Sequence, residues 1–480
     1  MTRASFDLPP RRRRQVLAAS ALGGFAATVM ATGVNVVLPG MVDVFDAPFA
    51  TVQWVVLSYV LAAIALLPVI GRLGDVLGKR RVFLAGFVVF GVGSAACALA
   101  PSIEVLIAVR TVQGVGSAVL TALGLALVTD VFPSSERGRA VGVNGAMISA
   151  GIVLGPSLGG LIADLASWRW VFGAGVLVVA VGWYLAWRVV PGGLAVGNRA
   201  FDVPGAVTIV GALLALSLAL TTGQSLGFAA PRVLALFAAA LVLGAAFVAI
   251  ERRVAEPVVD LDLFRSPALS IGLVTGLGTF VSISGVILLM PFYLEGVLGY
   301  APRQVGALMA VVPMVLVIMA PIAGWAADRF GERPVTVVGL SSILLGYLLV
   351  GGLGEDTTVT RYLLSFLPVG LGMGTFQTPN NSAIMGAARR GRSGTAGGLL
   401  ALTRNLGQVL GVAVLASVWS ARTVTRAGAS VGSDATLMPS AAQVGALHDV
   451  LLIVQLIIAA SLALVVWDWW RTPRAAAQGR

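Results

Sequence analysis

Long apolar runs separated by short polar clusters organise this chain of 480 residues. A stretch of about 17–25 mainly apolar residues is long enough, as a helix, to cross the hydrocarbon core of a bilayer. Fourteen stretches qualify, with cores near 16–39, 51–71, 82–100, 105–129, 140–163, 170–188, 204–223, 232–250, 267–291, 304–326, 335–353, 362–386, 394–418 and 447–468. Several contain Gly or Pro. Helix remains the expectation there, since a bilayer forces backbone groups to pair internally and neighbouring helices cover a local break. The run after Arg11 to Arg14 exceeds the apolar core of a secretory signal, about 7–15 residues, and no small-residue cleavage site precedes the next span. It is read as an uncleaved first span.

The polar clusters carry the orientation. With the N-terminus inside, 24 of the 32 Lys and Arg residues fall in inside segments. Six lie outside (Arg169, Arg232, Arg303, Arg361, Arg422, Arg426), and Arg110 and Arg404 lie within spans. Basic residues concentrate on the cytoplasmic side, so both termini are expected in the cytoplasm.

The clusters also repeat. Gly71, Asp75, Gly78 and Arg80 are matched by Gly324, Asp328, Gly331 and Arg333, each pair differing by 253. Arg137-Gly138-Arg139 is answered by Arg390-Gly391-Arg392 at the same offset. Two loops in one register imply that the helices joining them are repeated as well. Spans one to six then match spans nine to fourteen, and spans seven and eight form an insert. An even insert keeps both halves in the same orientation, which predicts two parallel six-helix bundles. The expected fold is an all-α integral membrane protein. Its parts are an N-terminal bundle over 1–200, two inserted helices and a connector over 201–265, and a C-terminal bundle over 266–480.

Composition agrees with a polytopic membrane protein: 58% of residues are hydrophobic and 11% charged, with a mean hydropathy of +0.95. The net charge of +11 is spread over loops rather than clustered on one face, which disfavours a nucleic-acid partner. Cys97 stands alone, so neither an intrachain disulfide nor a cysteine metal cluster is expected. Gly155-Pro156-Ser157-Leu158-Gly159 matches the letters of a serine-hydrolase elbow but lacks the strand, and the single histidine, His448, falls at a span end. Gly91-Val92-Gly93 and Gly114-Val115-Gly116 lack a preceding strand, and Gly78-Lys79 is followed by Arg80 rather than Ser or Thr. No enzyme, metal site or cofactor is expected.

The candidate functional residues follow from charge and small-residue placement. The loop Gly71 to Arg81 has glycines for a tight turn, with Asp75 able to accept from helix N-terminal amides and pair with Arg80 or Arg81. Asp328, Arg329 and Arg333 repeat its acid and bases. Such contacts form when two bundles close and break when they part, which makes both loops candidate gates. Arg110 lies inside the fourth span with Gln113 one turn on, and a central arginine costs about 2.5–3.5 kcal/mol on insertion scales. It is assigned to cavity charge or coupling, together with Arg404 in the thirteenth span. Gly151, Gly155 and Gly159 form a small-residue stripe, with Pro156 adding a bend. Gln377, Asn380 and Asn381 form a polar patch in the twelfth span. Lining a wet cavity and bonding between helices are both open for that patch. Asn35, Gln53 and Tyr59 are further cavity candidates.

These residues also carry a resemblance. Gly71 to Arg81 resembles the signature loop of the major facilitator superfamily, and Arg110-Thr111-Val112-Gln113-Gly114-Val115-Gly116 resembles its fourth-helix motif. Gly151 to Gly160 is similar to the fifth-helix motif of its antiporters. Fourteen spans, Trp168-Arg169-Trp170-Val171-Phe172 and Phe201-Asp202-Val203-Pro204-Gly205 resemble the fourteen-helix drug:proton antiporter branch. The resemblance implies alternating access, gating by the Asp75 loop and proton coupling at Arg110. It also implies an acid in the first span, where Asn35 to Pro39 fits the branch but Met30 stands at the position expected to hold aspartate.

The sequence is thus read as a secondary transporter of the cytoplasmic membrane that exports small amphipathic molecules, with the lipid bilayer, a small-molecule substrate and protons as partners. The alternatives are an uptake or uniport carrier and a non-transporting membrane sensor or assembly partner.

Overall fold

The computed structural model describes residues 9–192, 203–254, 266–387 and 393–471. The described chain is helical, with no strand: α1 (Pro10–Phe45), α2 (Phe49–Val52), α3 (Trp54–Leu77), α4 (Lys79–Ala98), α5 (Ile103–Val131), α6 (Ser134–Leu165), α7 (Trp168–Val189), α8 (Val203–Leu226), α9 (Pro231–Glu251), α10 (Pro267–Pro291), α11 (Pro302–Met309), α12 (Val311–Phe330), α13 (Glu332–Val350), α14 (Val359–Ala387), α15 (Ser393–Leu410), α16 (Ala416–Arg426) and α17 (Ser440–Arg471). Short π-helical turns at Phe292–Val297 and Gly411–Leu415 extend α10 and join α15 to α16. Among the described residues 13 helical stretches are long and apolar enough to cross a membrane. Outside that set, α14 is a continuous 29-residue helix that carries the polar patch at Gln377.

Helix ends follow local chemistry. Ser102 and Ser167 accept from the first-turn amides of Val105 and Arg169, both at 3.4 Å. Pro opens α1, α9, α10 and α11, where its missing N–H costs nothing. The tenth apolar stretch, expected as one span, is divided at Ala310 into α11 and α12. Pro313 explains the break, because it offers no N–H to the carbonyl of Met309 and its ring crowds that carbonyl.

The described chain forms two compact units, one of residues 1–258 with 299–310, the other of 259–298 with 311–480. In the first unit α1 lies along α6, α3 and α4 flank α5, and α8 packs on α9. The pair α8 and α9 docks through α8 onto α3, which leaves α9 largely uncovered by protein. Lipid tails are as apolar as Leu, so packing here rests on close approach of small residues rather than on hydrophobic burial. A Cβ added at Gly86 would meet Val119 Cβ at 2.7 Å, and one at Gly93 would meet Gln113 Cα at 3.1 Å.

In the second unit α13 and α12 both pack along α14, and α10 packs against α15 and α17. The close approaches there are Gly339 against Phe376 N at 2.6 Å and Gly346 against Val369 N at 2.7 Å. Gly86 and Gly339, like Gly93 and Gly346, are 253 apart. The repeat therefore extends from the loops into the helix contacts of each unit. The turn glycines repeat as well, Gly78 at φ 90° and Gly331 at φ 91°, a backbone region closed to most other residues.

Candidate functional site

The first unit holds its arginine in a cage of neutral groups. Arg110, on the second turn of α5, is fully buried. Its Nε donates to the Val55 carbonyl at 2.9 Å and its Nη1 to Gln113 Oε1 at 2.6 Å. Gln113 Nε2 donates to Ser94 Oγ at 2.7 Å, and Ser94 Oγ donates to the Phe90 carbonyl at 2.8 Å. The guanidinium lies 4.1 Å from the Tyr59 ring centroid and 5.7 Å from that of Phe172. Tyr59 is held in place by its hydroxyl, which donates to the Ala27 carbonyl at 3.1 Å. Arg110 Nη2 has no hydrogen-bond partner. Among the described residues no carboxylate pairs with this arginine. Met30 is buried instead, its thioether 2.9 Å from where a Cβ on Gly175 would sit.

The loop between α3 and α4 is built around Gly78. Gly71 and Asp75 fall within α3, and the side chain of Asp75 lies outside the described residues. Lys79, the only lysine, places its Nζ 2.5 Å from Asp130 Oδ2 at the end of α5, with both side chains largely buried. Arg80 Nη2 donates to the Trp187 carbonyl at 2.7 Å, and Arg81 is exposed. In the second unit Arg333 Nη2 meets Asp468 Oδ2 at 3.0 Å. Arg80 and Arg333, equivalent in the repeat, thus both tie the start of a helix to the C-terminal part of a later helix of the same unit, α7 and α17. Asp328 is exposed, and Arg329 stands 5.7 Å and 5.8 Å from the Trp325 and Phe330 rings.

The glycine stripe of α6 faces α1. A Cβ at Gly151 would meet the Phe25 carbonyl at 3.0 Å, at Gly155 the Val29 carbonyl at 3.1 Å and at Gly159 the Gly33 carbonyl at 2.5 Å. Pro156 and Gly160 face α11, where they touch Gly306 and Pro302, and Ser157 Oγ donates to the Gly306 carbonyl at 3.4 Å. The cavity candidates are scattered. Asn35 Nδ2 bonds carbonyls of its own helix, and buried Gln53 sits at the α2–α3 junction. Asn380 Nδ2 donates to the Gly272 carbonyl of α10 at 3.1 Å, so this residue takes the interhelical role. Gln377 and Asn381 are half-buried, and Arg404 is exposed on α15 with Asn405 and Gln408 beside it. Tyr59 alone of the cavity set joins Arg110 and Gln113. Sequence reasoning missed the Lys79–Asp130 pair, for which the singular lysine was the available signal, and Ser94, which carried none.

An arginine buried in a span marks a functional site and internal repeats are common in transporter folds, and the sequence profile described as "Major Facilitator Superfamily" matches residues 20–412. The chain belongs to the major facilitator superfamily. It is a multi-pass membrane transporter of that superfamily and not an enzyme. It is 33% identical over 412 residues to "Multidrug resistance protein Stp" of Mycobacterium tuberculosis, covering 86% of this chain and 76% of that one. It is 30% identical over 410 residues to "Riboflavin transporter RibZ" of Clostridioides difficile, covering 84% and 88%. Among solved structures of the same fold is a bacterial homologue of the human lysosomal transporter Spinster, inward-facing and unoccupied. The TM-score is 0.68 at 15% identity, covering 95% of this chain and 97% of that one.

Proposed function

We propose that this superfamily member exports small amphipathic molecules across the cytoplasmic membrane in exchange for protons, by alternating access of two six-span bundles. Counting α14 with the 13 apolar stretches makes fourteen spans. The charge bias supports cytoplasmic termini. Residues 1–200 and 266–480 are the bundles, and 201–265 the insert and connector. The observation that carries the two-bundle reading is the offset of 253, kept in both loops and in the helix contacts that follow them. Export is supported by the likeness to the multidrug resistance protein Stp. In this reading Lys79, Asp130 and Arg80 hold one end of the first unit closed, Asp75 and Asp328 act at the repeated loops, and Arg110 sets the charge within the bundle.

Met30 removes the acid expected opposite Arg110, so coupling is the step to test most directly. Purified protein in vesicles is expected to expel substrate, and the flux to stop when the pH gradient is collapsed but to persist when only the potential is removed. Flux that ignores the pH gradient would end the antiport reading. The likeness to the riboflavin transporter RibZ favours a second reading, a metabolite uptake carrier. Net inward flux in right-side-out vesicles would select it.

A further inference from the structure

Arg80 is one of three arginines at a corner where helix ends of α1, α4 and α7 meet, and the transport reading uses neither Arg12 nor Arg188. The carbonyls in the last turn of α7 have no partners within the helix. Two of them are taken by arginines from elsewhere: Arg80 Nη2 donates to Trp187 O at 2.7 Å and Arg12 Nε to Val189 O at 3.1 Å. The two guanidiniums are thereby pinned two residues apart on one helix end. Arg188 lies between those anchor points, exposed, its guanidinium 5.2 Å from the Tyr184 ring centroid. The acid beside this corner is Glu136, exposed and 4.0 Å from Arg13. Each guanidinium carries five N–H donors, and these bonds use one apiece on Arg12 and Arg80. Arg80 Nε is buried and has no hydrogen-bond partner.

Next to this cationic corner stands an aromatic platform on the same turns of α7. Trp183 and Trp187 stack with planes 7° apart and centroids at 6.3 Å, and Tyr184 flanks Trp187 at 6.4 Å. All three are exposed, with Trp187 at 48%. Indole and phenol rings favour the headgroup level of a bilayer, and guanidinium forks match the paired oxygens of a phosphate.

We propose that Arg12, Arg80 and Arg188 bind the phosphate of an anionic phospholipid, whose glycerol and upper acyl segments lie on Trp183, Tyr184 and Trp187. The ligand chemistry is that of a phosphodiester. The platform favours the lipid over free phosphate, because a free ion leaves the rings unused. The charge bias assigns the corner to the cytoplasmic leaflet. The proposal does not depend on the substrate or on the direction of transport.

The test uses fluorescence of the full chain in phosphatidylcholine nanodiscs, comparing dibrominated phosphatidylglycerol with dibrominated phosphatidylcholine as quencher. The chain has ten tryptophans, so the platform signal is the difference between wild type and a W183F/W187F variant. That signal is expected to be half-quenched at about fivefold lower mole fraction of the anionic lipid, because three guanidiniums face one phosphate. The preference is expected to vanish in R12Q/R188Q and to weaken in R188Q, which leaves the Arg12 bond intact. It is expected to persist in R169Q, whose arginine lies over Trp168. Equal quenching by both lipids, or a preference that survives in R12Q/R188Q and R188Q, overturns the proposal. Loss of the preference on adding inorganic phosphate at constant ionic strength would show that the rings add nothing to binding, and overturns the platform's part in the proposal.

Discussion

Arg110 is a charge held entirely by neutral groups, and its chemistry decides what a substitution does there. A lysine keeps the charge but offers a point donor in place of a fork, so it cannot serve the Val55 carbonyl and Gln113 in the same geometry. Arg110→Lys is expected to fold and to lower transport at least about tenfold, read as initial substrate flux against thermal unfolding of the same sample. Met30 lies one turn beyond Ala27, which accepts from Tyr59, and packs on Gly175, one turn beyond Phe172. A carboxylate at that position therefore lies beside the same cage. Met30→Asp is expected to be tolerated with Arg110 present and to destabilise once Arg110→Gln removes the counter-charge. The cycle of four variants should show a coupling of about 1–3 kcal/mol. A coupling near zero would separate residue 30 from the arginine. Lys79 and Asp130, by contrast, form an ion pair in this unit. Lys79→Gln is expected to slow turnover, and the exchange Lys79→Asp with Asp130→Lys to recover part of it, because the pair and not either sign is what ties the start of α4 to the end of α5.

At the scale of elements, α6 shows how small residues set helix distance. A Cβ at Gly159 comes within 2.5 Å of the Gly33 carbonyl, a rigid backbone atom. Gly159→Val is therefore expected to push α1 from α6 and cost about 1–3 kcal/mol. Gly145, on the same helix with nothing within 4 Å of the added atom, is the control. Gly145→Ala is expected to leave unfolding unchanged or raise it slightly, since alanine loses less backbone freedom. Equal losses in the two variants would mean that α6 tolerates no substitution regardless of contact. The stripe was readable in advance because its four-residue spacing is a sequence property, as were the apolar runs that became the long helices. The break at Ala310 was not, because hydropathy counts Pro313 as one mild residue while its effect falls a turn earlier on Met309. Asn380 was ambiguous for a similar reason: a polar letter in a span does not say whether its partner is water or, as here, a carbonyl of α10. The arginine bonds that cap α7 lie 107 and 177 residues apart in sequence, so no local pattern announced them.

For the whole molecule, the division of the chain and the division of the structure do not coincide. The segment 299–310 belongs to the first unit, while the residues on both sides of it belong to the second. What holds it there is α6. Gly306 sits against the Pro156 carbonyl and Gly160 against that of Pro302. The Arg303–Asp164 pair at 3.6 Å is largely exposed on the arginine side and adds little. The seam thus depends on two glycines that let backbones touch. If the chain is cut after Val258, the second fragment carries α11, and the first fragment completes its unit only by recruiting it. Co-expressed fragments 1–258 and 259–480 are expected to copurify on a tag attached to the first. Gly306→Leu in the second fragment drives a branched side chain into the Pro156 carbonyl and is expected to cut recovery at least about fivefold. Gly296→Ala, with open space around the added atom, should leave recovery unchanged. Recovery indifferent to Gly306→Leu would show that α11 is not what joins the fragments.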